Sequence, residues 1–149
     1  MKTEINDWLS DTPLNVFATV SLRQGIQNDN GTWSRITPEQ ITRTAWLLRD
    51  RFTKAFIGKR KQLPFLVFAE GDGTIKRHHL HILTFVPKDR SLREFVDTFR
   101  FQALKLDWVY NEIDIQPIQP GAECKVLHYS LKEGMGAFLP EASCVPCKN

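Results

Sequence analysis

The chain of 149 residues is 42% apolar and 25% charged with a formal net charge of +3, proportions that suit one globular domain with a core of its own and exclude two independent ones. A sequence pI of 8.8 permits a nucleic-acid partner without announcing one, since dedicated binding domains often lie above about 9. The start, MKTEINDWLS, mixes acids and amides with apolar residues and has no apolar run after a basic start, unlike a secretory signal. No stretch approaches the ~18 apolar residues of a membrane span. With three cysteines and no signal, reduced thiols are expected rather than a disulfide framework, and hence a cytosol-like compartment and no membrane partner.

Residues 14–22, LNVFATVSL, are rich in apolar and β-branched side chains and predict a first strand. A polar loop follows, RQGIQNDNGTWSR, with Asn30-Gly31 as its turn signal. Thr37-Pro38-Glu39-Gln40 reads as a capping box with proline at the first helical position, and Ile41, Ala45, Leu48, Phe52 and Phe56 then recur at helical spacing up to Gly58. LPFLVFAE (63–70) and RHHLHILTFV (77–86) predict a second and third strand, joined as a hairpin through Gly71-Asp72-Gly73. Ser91-Leu92-Arg93-Glu94 is a second capping box, opening a helix whose stripe is Leu92, Phe95, Phe99 and Ala103. WVYNEIDIQPI (108–118) alternates as a half-buried strand and is closed by Pro117 and Pro120. A third helix is expected over 121–132, stopped by Gly134, with an irregular tail over 135–149. The order β-α-β-β-α-β-α predicts an α+β domain of the ferredoxin-like, RRM-like split β-α-β type, with four to five antiparallel strands and helices packed on the sheet.

With 4 His, 2 Tyr and 3 Cys, chemistry that needs these residues has few addresses. His79 and His81 lie two apart on the third strand, so both imidazoles point to one face while Leu80 and Ile82 point to the other. If the hairpin folds about residues 74 and 75, Glu70 sits across from His79 on the same face, and Asp72 is the substitute carboxylate should the register slip. Two imidazoles and one carboxylate make a three-donor set with open positions, as a catalytic metal site requires. The plainer alternative is a pair of surface histidines, and it gains less support once His78 and His128 are placed, one beside the pair and the other beside a tyrosine.

That tyrosine is Tyr129 in HYSLKEG, where a three-residue helical step sets Lys132 beside it, with Lys125 nearby. Cations favour the phenolate, which a free pKa of about 10 keeps scarce at neutral pH. Tyrosine also serves as a covalent nucleophile. The other tyrosine, Tyr110, has no lysine partner in the sequence. Cys124 and His128, one helical turn apart, together with Cys144 and Cys147 compose a candidate Cys₃His structural zinc site; the alternative is a buried Cys124, a surface His128 and a tail with two thiols. Lys59, Arg60, Lys61 and Arg77 are the densest cations and the expected DNA-phosphate contacts, together with Lys125. Neutralising the 59–61 run should weaken binding to all DNA sequences alike and flatten its salt dependence, and a loss confined to one sequence would refute a phosphate role.

In order and spacing, FATVSL, then HHLHI with the upstream Glu70, then HYSLKEG resemble the HUH endonucleases, most closely the single-tyrosine rolling-circle replication initiators of plasmids and small single-stranded DNA viruses. The resemblance spans residues 14–134. It implies that Glu70, His79 and His81 bind Mg²⁺ or Mn²⁺ at the scissile phosphate, that Tyr129 attacks to form a 5′-phosphotyrosine, and that Lys132 orients the phosphate or steadies developing charge. It implies as partners single-stranded or hairpin origin DNA and a separately supplied helicase and polymerase, in the cytoplasm of a bacterial host or the nucleus of a virus-infected eukaryote. The first motif lacks the family's polar end, His78 precedes the pair, and no ATPase segment follows. Mobilisation relaxases and single-tyrosine transposases share this chemistry. A histidine-triad hydrolase would need a third histidine where Leu83 stands, a two-histidine phosphodiesterase a second His-x-Thr/Ser element, and an RNA-recognition module aromatic residues along the third strand.

Overall fold

In the computed structural model the described residues are 14–119, 121, 122 and 138–144. Four strands, β1 (Val16–Leu22), β4 (Phe65–Glu70), β5 (His79–Thr84) and β6 (Val109–Pro117), form one antiparallel sheet in the order β4-β5-β1-β6. Helices α1 (Pro38–Phe56) and α2 (Leu92–Ala103) pack against it. This is the α+β, ferredoxin-like arrangement expected from the sequence. The order leaves β5 and β1 as the central pair, so a residue on β5 has a neighbour on either side.

Alternation on the strands divides the apolar residues between two faces. Val16, Ala18, Val20, Val67, Leu80 and Ile82 meet the helices, where Phe52, Phe56, Phe95 and Phe99 fill the main core. The other face holds a smaller cluster of Leu14, Leu66, Phe68, Leu83 and Ile118, with Phe17 against it. Leu80 and Ile82 are wholly buried in the main core, so the two histidines that alternate with them are committed to the second face.

Thr37 caps α1 as expected: its hydroxyl accepts from the Gln40 N–H, and the Gln40 side chain accepts from the Thr37 N–H at 2.8 Å. The box at α2 is only half formed. Ser91 accepts from the Glu94 N–H at 3.0 Å, but the Glu94 carboxylate accepts from Arg90 Nε at 2.8 Å instead of turning back to the cap. An arginine one turn away outcompetes a neutral backbone N–H for a carboxylate because both groups carry charge.

Two features depart from the expected element order. The stretch read as a polar loop contains a short hairpin, β2 (Gly25–Gln27) and β3 (Trp33–Arg35), turning at Gly31 with φ 86°. Within the expected irregular tail, residues 138–144 lie along the outer edge of β4, with bridges Phe68 to Phe138 and Phe65 to Cys144 and a 3₁₀ turn at Pro140–Ala142. The Ser143 hydroxyl accepts from the Val67 N–H at 3.0 Å, a ladder position otherwise left open, and Arg49 of α1 holds the Ser143 carbonyl at 2.7 Å. The edge of β4 is thereby covered rather than offered to another strand. Of the expected third helix, Gly121 and Ala122 are not helical, Gly121 having φ 85°, and residues 123–132 lie outside the described residues.

Candidate functional site

The hairpin between β4 and β5 pairs Glu70 with His79 and Phe68 with His81, the register read from the sequence. Asp72 is not needed as a ligand. Its carboxylate accepts from the Thr74 N–H at 2.8 Å and the Lys76 N–H at 3.1 Å, and these bonds hold its pKa down to about 2 from 3.8. The contribution to loop order is therefore complete above the ordinary carboxyl range and lost as pH falls through about 2. Amide resonances of Thr74 and Lys76 should titrate near that lower value; a midpoint at 3.8 would show the carboxylate unbound.

Glu70 and His81 are both buried, and the carboxylate touches two partners, His81 through Oε2 and Lys76 through Oε1. On the other side of the His81 ring, Nδ1 lies 3.3 Å from the Thr19 hydroxyl, Thr19 being the direct cross-strand neighbour on β1. The contact with the Glu70 carboxylate calls for the proton on Nε2; were a cation to take Nε2, that proton would leave and Nδ1–H would donate to the Thr19 hydroxyl. Phe17 stacks on the same imidazole at 5.5 Å between ring centroids, restraining its tilt. The His79 ring lies nearly parallel to that of His81, 6.4 Å away, and its Nδ1 is buried with no hydrogen-bond partner among the described residues. Burial pushes the His79 imidazole below its ordinary pKa, with Glu70 opposing and His81 and Lys76 adding to the effect. His79 is therefore neutral at neutral pH, the form that donates a lone pair.

One carboxylate and two imidazoles, one of them with an orphaned buried nitrogen, are donors that a divalent cation takes. As placed, Glu70 is paired with His81 and Lys76 rather than sharing a common point with both imidazoles, and among the described residues no group of three or more His, Cys, Asp or Glu is arranged to hold a metal ion. Cation uptake would exchange the Glu70 contacts to His81 and Lys76 for coordination. Thr19 was not anticipated, although its place on β1 opposite the hydrophobic face is readable once the strand order is known. Thr19→Val should lower cation affinity about tenfold, the lower range for losing a ligand's outer partner; titration calorimetry with Mn²⁺ measures it, and unchanged affinity would remove Thr19 from the site.

The structure separates the cations singled out from the sequence. Lys59, Arg60 and Lys61 precede the first residue of β4, whereas Glu70 is its last, so the run lies at the opposite end of the strand from the histidine pair. Arg77 lies at the histidine end, its guanidinium 4.4 Å from the centroid of the Tyr110 ring. Lys76, which touches Glu70, and Arg35, which donates to the Gly73 carbonyl at 3.0 Å, join it there. Neither was singled out, because only the folded loop brings them in.

Tyr129, Lys132 and Lys125 lie outside the described residues, as do Cys124, His128 and Cys147. Of the candidate zinc donors, Cys144 is half-buried against the main core with its backbone paired to Phe65. No helix among the described residues is long and apolar enough to cross a membrane.

The fold and this face thus define an α+β domain with a carboxylate-imidazole cluster on the sheet surface opposite its helices. No protein-family model, curated protein or solved structure matches the chain.

Proposed function

We propose that the protein is a metal-dependent, site-specific single-stranded DNA endonuclease that nicks and rejoins DNA through a 5′-phosphotyrosine, as in the initiation of rolling-circle replication. The observation that supports this most is the convergence of Glu70, His79 and His81 on one face through the β4–β5 register. A divalent cation, Mg²⁺ or Mn²⁺, held by these three residues would supply charge that polarises the phosphoryl oxygen and positions the phosphate. Thr19 and Phe17 hold the His81 ring in place for that role.

Tyr129, assigned by resemblance, is the nucleophile: its Oη forms a bond to the scissile phosphorus as the P–O3′ bond breaks. The phenol proton is given up, and the departing oxygen takes up a proton to become a 3′-hydroxyl that primes synthesis. Lys132 steadies the charge on the phosphate. Attack by a 3′-hydroxyl on the phosphotyrosine reverses the sequence and rejoins the strand.

Cleavage of single-stranded origin-like oligonucleotides in Mn²⁺ tests the reading. Wild type should yield a free 3′-hydroxyl fragment and a protein-DNA adduct, and Tyr129→Phe should yield neither. Tyr110→Phe is the necessary companion, since Tyr110 reaches the histidine end of the sheet through Arg77. An adduct that survives Tyr129→Phe but not Tyr110→Phe would move the nucleophile. Binding without cleavage, indifferent to metal and to both tyrosines, would instead describe a non-catalytic RRM-like nucleic-acid module.

A further inference from the structure

The β2–β3 hairpin stands at the histidine end of the sheet and is fastened there. The Ile36 N–H donates to the Gln24 carbonyl at 3.0 Å at its base, and Arg35 Nη2 reaches the Gly73 carbonyl in the β4–β5 loop. Gly73 has φ 78°, and a Cβ there would collide with the His78 imidazole, so hairpin, loop and histidine strand are in contact through residues with no room to spare.

On the hairpin, Gln27 pairs with Trp33 and Gly25 with Arg35, which sets Trp33 and Arg35 on one face. The Trp33 indole lies diagonally over Gly25, where any Cβ would run into the ring. Gly25 leaves bare backbone for the indole to rest on, and Trp33 is still 64% exposed. A tryptophan with one side seated and much of its surface open to solvent has little conformational freedom left to lose on binding. Arg35 shares the Trp33 face and, through the Gly73 carbonyl, ties the hairpin to the loop that leads to Lys76 and Arg77; of the carboxylates on the two loops, Asp72 is held by the Thr74 and Lys76 N–H groups while Asp29 sits toward the hairpin tip.

From this geometry we infer that the β2–β3 hairpin is a stacking platform for single-stranded DNA, with Trp33 taking a base face and the neighbouring cations the flanking phosphates. An aromatic face beside fixed positive charge is how sequence-tolerant single-strand binding is built. The identity of the ligand as DNA rests on the nuclease reading; the platform itself rests on the hairpin.

The test is the affinity of a fluorescein-labelled single-stranded DNA of mixed sequence, measured with EDTA present so that no cleavage occurs. Trp33→Ala should weaken binding about tenfold, within the range for loss of one base stack, and Trp33→Phe should recover most of it. Gly25→Val, whose backbone accepts any residue, should weaken binding about as much as Trp33→Ala by unseating the indole. Trp46→Ala, an exposed tryptophan on α1, should change nothing. Trp33→Ala binding like wild type in a folded protein overturns the proposal, as does tight binding of duplex DNA, or of RNA alone, that ignores Trp33. Single-strand binding through Trp33 without any adduct in Mn²⁺ would overturn the nuclease reading alone, and cleavage with a silent Trp33 would overturn the platform alone.

Discussion

A Glu70→Gln variant should fold like the wild type, lose the thermal stabilisation that Mn²⁺ confers, and cleave single-stranded DNA more than about 100-fold more slowly, since outer partners of metal ligands alone are worth up to that much. The amide keeps the volume of the carboxylate and still accepts from Lys76, so the buried pocket is not left empty. What it loses is the charge that competes for a cation. For wild type, Mn²⁺ at about 100 times its dissociation constant should add roughly 2.7 kcal/mol to the folded state, visible as a rise in Tm. His81→Ala should erase the same rise. Because Glu70 and His81 touch each other within one site, the double variant should be no worse than either single change. Full retention of the Mn²⁺ shift in Glu70→Gln would show that the carboxylate is only the buried partner of His81 and Lys76, and the metal reading would fall with it.

Much of this face was legible in the sequence, and for a definite reason. A strand has a period of two, so Leu80 and Ile82 in the core oblige His79 and His81 to share the other face, and a two-glycine turn fixes which residue of β4 stands opposite them. The α1 cap was readable because Thr37, Pro38 and Gln40 act within one turn of chain. The features that escaped depend on longer-range contacts. Lys76 and Arg35 carry no local signal; a folded loop delivers one to Glu70, and a separate hairpin delivers the other to Gly73. The β2–β3 strands are three residues each, with Ile26 and Trp33 as their only large apolar side chains, so no apolar alternation announces them. The half-made cap of α2 fails because Arg90, outside the four-residue motif, takes the Glu94 carboxylate. The basic run at 59–61 illustrates the converse: density in sequence is not proximity in space, and the antiparallel course of β4 carries it away from the histidines.

The largest effect on stability should come from Phe52→Ala. Phe52 is fully buried on α1, with Phe95 and Phe99 of α2 edge-on at 4.8 and 5.3 Å, Phe56 stacked at 5.2 Å and Phe65 of β4 at 6.5 Å between centroids. One ring therefore joins both helices to the sheet. Truncation removes its transfer free energy and leaves a cavity that the surrounding aromatic rings cannot collapse to fill, a cost of about 3–5 kcal/mol. Against a total stability of roughly 5–15 kcal/mol for a domain, that leaves the variant marginal or unfolded at room temperature. Urea denaturation reads the loss, with Phe101→Ala as the reference: that ring is 61% exposed, and its removal should fall within about 0.5 kcal/mol of wild type. Phe65 begins β4 and Glu70 ends it, so the cavity opens away from the metal ligands. The folded fraction of Phe52→Ala should accordingly bind Mn²⁺ with wild-type affinity, and saturating Mn²⁺ should restore part of the lost stability by mass action. A loss under about 1 kcal/mol would mean that the two helices hold to the sheet without this ring.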